Sequence, residues 1–314
     1  MKKYFSVEPA RFRLDGGAMF GIIPKPLWNK IHPADEQNRI DLALRLVLIE
    51  TDNKKILIDT GIGDYHGDKF EERFDVRTEK SPLEKALLSI NVQPDSITDL
   101  IISHLHFDHV GGILKIEGDQ KIPVLKNATL HLHKDHYEYG KKPTKRDEGS
   151  FHHQYYEPMI EWYKNQNKLH FVTGMEGEIL PGIKFKCSMG HTPFLLHAYD
   201  EKFIYMADLI PTSNHVHIPW VMGYDINPGQ TVEYKEDFLK FIADKNLVAI
   251  YEHDPIYFGS TIIKNAKGDY VVGEKFEKKN ASAFEIFNWD LNSWHFFSFF
   301  LDRISESIFP KGLF

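Results

Sequence analysis

One nine-residue stretch, His104-Leu-His-Phe-Asp-His-Val-Gly-Gly112, limits what this chain can fold into more than any other. It places His104, His106, Asp108 and His109 within six positions and follows them with two glycines that let backbones pack closely. Alternate residues of an extended segment project from one face, so His104 and His106 leave together. Asp108 and His109 fall where the chain turns into a helix, which swings their side chains toward a second point. One ion takes three or four ligands, so four ligands divided between two directions suit two ions better than one. The preceding Asp99-Leu-Ile-Ile-Ser103 reads as a buried strand, and strand ends are where α/β proteins commonly carry sites. A histidine-rich surface loop is the plainer alternative, but such loops seldom follow a buried strand or close on Val-Gly-Gly.

The same H-x-H-x-D-H pattern recurs at His131-Leu-His-Lys-Asp-His136, in a different setting. Thr129 to Leu132 reads as a strand and His136 as the start of a helix, with most of these histidines solvated or packed. A second metal site here is the less favoured reading.

The single Cys187 excludes an intramolecular disulfide and any thiolate-rich metal site, so metal chemistry must rest on His and Asp. At 314 residues, 42% hydrophobic and 13% aromatic, the chain can bury a substantial core. Its net charge of −7 argues against a nucleic-acid partner. The N-terminus lacks the apolar run of a signal peptide, and no segment approaches the roughly 20 apolar residues of a membrane span. A cytoplasmic protein with no membrane partner is expected.

Taken in order, residues 1–40 read as a loop-rich opening, with Gly16-Gly17 and Ile23-Pro-Lys-Pro26, that walls a pocket or covers a sheet edge. Leu42 to Glu50 and Ile56 to Ile58 read as a hairpin, ending in Asp59-Thr-Gly-Ile-Gly63. Asp59 is placed to accept a hydrogen bond from a ligand histidine and orient it. Ser81-Pro-Leu-Glu84 carries a serine cap, a proline at the first helical position and a glutamate three after the cap. Residues 138–170 read as an inserted helical segment, with Phe151, Tyr155, Tyr156, Met159, Ile160 and Tyr163 forming a core stripe or a dimer face. His152 and His153 have no assigned role. Strands follow at Ile183–Cys187, Phe194–Ala198, Lys202–Met206 and Leu247–Tyr251, with a helix at about Gln230 to Ala243. Asp59, His104, His191, Asp208 and His253 each follow an apolar strand, and together they converge at one edge of a β structure.

These residues resemble the metallo-β-lactamase superfamily through Asp59-Thr-Gly61, His104-x-His-x-Asp-His109, Gly190-His-Thr192, Asp208 and His253. The resemblance implies one αββα sandwich over residues 1–314, two mixed sheets flanked by helices. It implies that His104, His106 and His191 bind one metal, Asp108, His109 and His253 the other, and that Asp208 bridges them. Within the superfamily, Phe107, Asp15-Gly-Gly-Ala-Met-Phe-Gly21 and Ala207-Asp-Leu-Ile-Pro-Thr212 resemble the quorum-quenching lactonase and methyl parathion hydrolase-like branch. The sequence departs from that pattern at Phe194, where glycine is usual, and at Pro211, where lactonases of this type carry a tyrosine. Tyr224 is the candidate to supply that phenol.

The expected cofactor is a pair of divalent ions, for which zinc is suited and iron, manganese or cobalt are acceptable. A metal-bridging hydroxide would attack an ester or lactone carbonyl, since coordination lowers the pKa of water from about 15.7 to about 7. Asp108 and Asp208 are the catalytic carboxylates, Asp108 being the better placed to pass a proton to the leaving group. Phosphotriester hydrolysis at the same site is one alternative, and a mononuclear iron persulfide dioxygenase is another. Phe107, His215, His217, Trp220 and Tyr224 are the candidate contacts for a small-molecule substrate, although His215 and His217 read equally well as solvent-facing strand residues. The aromatic extension at about 284–314 is expected to dock on the domain or on a second subunit in a homodimer.

Overall fold

The computed structural model describes residues 2–279 and 281–287. The first half of the chain builds one sheet. Strand β1 (Lys3–Asp15) leads through two short helices, α1 (Gly16–Phe20) and α2 (Lys25–Trp28), to the hairpin β2 (Arg39–Glu50) and β3 (Lys55–Ile58). Helix α3 (Asp68–Phe74), the short β4 (Arg77–Thr78) and α4 (Pro82–Leu88) precede β5 (Asp99–Ile101). Next come α5 (Phe107–Val110), a small hairpin of β6 (Leu114–Glu117) and β7 (Gln120–Pro123), then β8 (Thr129–His133), α6 (Lys134–Gly140), α7 (His153–Asn165) and β9 (Leu169–Val172).

The second half builds another sheet from β10 (Glu176–Leu180), β11 (Ile183–Ser188), β12 (Leu195–Tyr199), β13 (Phe203–Tyr205), β14 (Val248–Ile250), β15 (Tyr257–Lys264) and β16 (Tyr270–Glu277), with α8 (Pro228–Lys245) between β13 and β14. Strand β17 (Ala283–Ile286) returns to pair with β1. The first sheet runs β17-β1-β2-β3-β5-β8-β9, with β4 also on β1, and the second runs β10 to β16 in chain order. Both are mixed: β3, β5, β8 and β9 pair in parallel, as do β13 and β14, while their other neighbours are antiparallel.

Strand β2 shows why this becomes a sandwich. Its buried run is nearly continuous because both faces are covered. Val47 and Ile49 point into a core shared with Phe185, Leu195, Phe203 and Tyr205 of the second sheet. Leu46 and Leu48 face the opposite way, onto Leu83 and Leu87 of α4 and Met159, Ile160 and Tyr163 of α7. Helix α8 covers the far side of the second sheet with Phe238, Leu239 and Ile242. The result is the expected αββα arrangement, and the aromatic stripe of α7 lies in the core.

The opening residues differ from the sequence reading. They are not loop-rich: β1 is a thirteen-residue strand lying between β2 and β17. Its alternation is interrupted where the register slips between Val7 and Ala10: Ser6 and Val7 are buried side by side, and Glu8-Pro9 at the bulge are both only half-buried. Ser81 also departs from expectation. It sits at φ 55° and its side chain caps nothing, while its N–H donates to Asp64 Oδ2 at 2.8 Å. Proline 82 alone marks the start of α4. Of the aromatic C-terminal extension, residues up to Ile286 belong to β17, and the stretch from Asn288 onward lies outside the described residues.

Candidate metal centre

The site forms where the C-terminal ends of β3, β5, β11, β13 and β14 open at one edge of the sandwich. The loop after β5 carries His104 and His106, and α5 begins at once, turning Asp108 and His109 to a second side. Gly111 and Gly112 are needed for closeness. A Cβ on Gly112 would stand 2.1 Å from the Thr60 carbonyl oxygen, and one on Gly111 would stand 2.3 Å from that of Ile62. His191 follows β11, Asp208 follows β13 and His253 follows β14.

All seven side chains are buried, and their polar atoms gather in two groups sharing Asp208. Ligand atoms of His104, His106, His191 and Asp208 lie within 4.8 Å of one another. Across Asp208, His253 Nε2 lies 3.0 Å from Oδ1 and His109 Nε2 lies 3.6 Å away. Asp108 Oδ2 completes that side, 3.7 Å from His109 Nε2 and 3.6 Å from His253 Nε2.

The hydrogen bonds on the far side of each ring decide what the near side offers. His253 Nδ1 donates to the Ala43 carbonyl at 2.8 Å. His191 Nδ1 donates to Asp225 Oδ1 at 3.0 Å, and His109 Nδ1 to Asp59 Oδ2 at 3.1 Å. Ser103 Oγ donates to Asp59 Oδ2 at 2.6 Å, so it accepts from His104 Nδ1 at 3.0 Å. In a neutral imidazole whose Nδ1 carries the proton, Nε2 is a bare lone pair. Four such lone pairs therefore point inward at carboxylate oxygens. Among the described residues, His104 Nε2, His109 Nε2 and Asp208 Oδ1 are buried without hydrogen-bond partners, a costly arrangement that bound cations would relieve. The donor set fits divalent metal.

Without cations, protons are drawn to the same place. Burial disfavours charge on His253, but Asp208, Glu252 and Asp108 outweigh it and push the imidazole up to about 9. His191 and His109 are raised in the same way, against burial, by neighbouring carboxylates. Burial, reinforced by neighbouring imidazoles, holds His104 and His106 well below the ordinary value.

Three supporting residues escaped the sequence reading. Asp225 orients His191, as described. Glu252 Oε2 lies 2.8 Å from His109 Nδ1. It is close enough to join His109, Asp208 and His253 around one ion, but it meets His109 at the nitrogen turned toward Asp59, so its contact orients that ring. Its position beside His253 was the only signal in the sequence. His136, from the second His-x-His run, accepts from Leu105 N at 2.9 Å and donates to the Pro193 carbonyl at 2.7 Å, which ties together the two ligand-bearing loops. The rest of that run is packed: His131 meets Asp99 Oδ1 at 2.9 Å and His133 meets the Gly174 carbonyl at 2.8 Å.

Of the candidate substrate residues, Phe107 is flanked by Phe70, Phe74 and His152 at ring distances of 5.3, 5.5 and 5.1 Å. Trp220 meets Phe20 edge-on. Tyr224 is largely buried, and burial together with the charges of Asp15, Asp108 and Asp208 raises its phenol. His215 lies on a single helical turn and not on a strand. Both its nitrogens are occupied, Nδ1 with Thr212 Oγ1 at 2.7 Å and Nε2 with the Met19 carbonyl at 2.8 Å, so it has none to offer a substrate. His217 is exposed, with its ring against Trp220. Phe194 adopts φ 57°, the left-handed conformation that explains why glycine suits its position; its ring stacks on His133 at 4.8 Å.

Comparison with known proteins gives a consistent setting for this geometry. A family profile described as Metallo-beta-lactamase superfamily matches residues 46–253. An N-acyl homoserine lactonase of Bacillus cereus is 25% identical over 165 residues, covering 50% of this chain and 57% of that protein. The chain thus spans little more than half the length of the curated relatives it matches. A probable metal-dependent hydrolase from Staphylococcus aureus superposes with a TM-score of 0.75 at 27% identity, covering 89% of this chain and 98% of that one. AidC, a dizinc quorum-quenching lactonase, has a TM-score of 0.66 at 22% identity over 87% of this chain and 95% of its own, a likeness of fold.

Proposed function

Since the chain belongs to the metallo-beta-lactamase superfamily, we propose that it is a metal-dependent hydrolase of a small-molecule ester or lactone, working with two divalent ions, zinc being best suited. The observation that carries this reading is the inward set of lone pairs on His104, His109, His191 and His253 around Asp208. Both groups that share Asp208 have their donors filled, which favours two ions over the single iron of a dioxygenase. The similarity to N-acyl homoserine lactonases supports an acyl substrate over a phosphotriester.

Bound there, the ions would activate water and polarise the scissile carbonyl. The chain's own groups do the rest. His104, His106 and His191 would hold one ion, Asp108, His109 and His253 the other, and Asp208 both. Asp108 stands at the edge of the second group, where its carboxylate takes a proton and passes it to the leaving oxygen. Tyr224, kept protonated by burial and by nearby carboxylates, donates to the substrate oxygen, the role left open by Pro211. Phe107 and Trp220 supply apolar contact.

The test is elemental analysis joined to a substrate panel. Metal-loaded protein is expected to carry about two ions per chain and to hydrolyse acyl-homoserine lactones, simple lactones or aryl esters in preference to paraoxon-type phosphotriesters. His106→Ala should abolish this with the fold intact by circular dichroism. Full activity in that variant, or one iron per chain with persulfide oxidation, would overturn the reading.

A further inference from the structure

The flank of Phe107 holds two histidines that the metal centre does not use. His66, on the loop after β3, stacks on Phe70 at 4.2 Å and stands 6.4 Å from the Phe107 ring. His152, immediately before α7, stacks on Phe107 at 5.1 Å with the rings 19° from parallel. The two imidazoles lie 5.3 Å apart, edge to face. Phe107 itself sits between His106 and Asp108, so this pair of imidazoles borders the candidate metal centre.

The hydrogen bonding of the pair is incomplete. His66 Nε2 donates to the Ile62 carbonyl at 2.8 Å. That bond fixes the tautomer and leaves Nδ1 as the acceptor nitrogen of the ring. Burial pushes the His66 imidazole down to about 4, so the acceptor persists at neutral pH. His152 caps no N–H of α7 with its side chain; its ring lies beside the backbone of Gly149, and its buried Nδ1 makes no hydrogen bond of normal geometry among the described residues. Buried polar atoms in native proteins are nearly always matched, and an aromatic wall could have used phenylalanine at both positions. We propose that His66 and His152 form a polar subsite on the flank of Phe107 that receives an N–H or O–H donor of the substrate, next to the bond being cleaved. This rests on the hydrolase reading, and it adds a requirement that the metal centre does not impose. Substrates with a donor beside the carbonyl, such as N-acylated amino lactones, are selected over lactones of equal length whose nitrogen is replaced by carbon.

The experiment compares such a pair of lactones, and their ring-opened acids, on the metal-loaded full chain, on His66→Phe and on His152→Phe. Phenylalanine retains the ring stacking, and metal content and melting temperature verify each variant. Kd values for the two acids come from calorimetry, and kcat and KM for the two lactones from turnover. The wild-type protein should favour the N–H-bearing member by about tenfold, the effect of one hydrogen bond, expressed in Kd and KM and not in kcat. Each variant should bring that ratio close to one. A binding preference present in the wild type and lost in the variants supports the subsite even if neither lactone is hydrolysed, in which case only the hydrolase reading falls. Hydrolysis with an unchanged ratio in both folded, metal-loaded variants overturns the subsite, as does failure to bind either acid.

Discussion

Replacing Asp225 by asparagine perturbs one half of the metal centre and spares the other. Asp225 Oδ1 accepts from His191 Nδ1 at 3.0 Å, and Oδ2 accepts from Met222 N at 3.2 Å. Asparagine keeps the shape and one acceptor, but the buried negative charge behind the imidazole is gone. A hydrogen bond to a charged group contributes about 1.5–3 kcal/mol, and about 1.4 kcal/mol is tenfold in an equilibrium. The group built from His104, His106, His191 and Asp208 should therefore lose about 10- to 100-fold in affinity, the usual effect of removing such an orienting partner. The opposite group keeps its own supports, Asp59 behind His109 and the Ala43 carbonyl behind His253. The assay titrates zinc-loaded protein with graded chelator and counts ions per chain by mass spectrometry. Asp225→Asn should release one ion at much lower chelator strength than the wild type and keep the second. Release of both ions at wild-type chelator strength, with an unchanged circular dichroism spectrum, would refute the assignment of Asp225 to His191.

Three further outcomes follow from features elsewhere. Lys235 is fully buried and donates to the carbonyls of His217, Ile218 and Trp220 at 2.9, 3.0 and 2.8 Å; the His217 carbonyl also accepts from Trp220 N, so Lys235→Met leaves the Ile218 and Trp220 carbonyls unmatched and should cost about 3 kcal/mol, read as a lower urea midpoint. Burial disfavours charge on Glu8, but Arg45 and Arg11 outweigh it and hold the carboxyl below its ordinary value of 4.5. Its stabilising effect is therefore complete above that value and is lost as pH falls through the lower folded one. Glu8→Gln, which removes the carboxylate paired with the buried Arg45 and leaves that guanidinium only its backbone carbonyls and the charge of Asp254, should cost about 3 kcal/mol at pH 7, with the gap to wild type in urea unfolding closing on acidification. Gly112→Ala places a methyl group 2.1 Å from the Thr60 carbonyl oxygen, so it should cost about 3 kcal/mol, read as a lower melting temperature with reduced metal content.

The strand-end residues were legible because each ends a short apolar run that both sheets need for their core, as Ile58 before Asp59 and Ile250 before Glu252-His253 show. Strand β1 was not legible, because the bulge at Glu8-Pro9 breaks the alternation on which a strand is recognised. The supporting carboxylates were hidden for a different reason. Asp225 is thirty-four positions from the histidine it orients, and Glu252 is far in sequence from His109, so only the closed fold reveals either partnership. His215 misled because an alternating His-x-His suggests a strand, whereas its ring is enclosed between Phe20 and Thr212. The repeated His-x-His-x-Asp-His pattern shows the limit of composition: identical residue types converge as candidate metal ligands after β5 and act as internal struts in and just after β8.

The ligands come from both layers of the sandwich, His104 to His109 from the first sheet and His191, Asp208 and His253 from the second. Any ion held among them is thus a rivet through the seam between the halves. Whatever free energy its capture releases is added to the work of prising the sheets apart. Metal binding there would tie the lifetime of this protein to the local supply of metal: a chain made during scarcity would meet proteases with its seam unfastened, and one made in plenty would not.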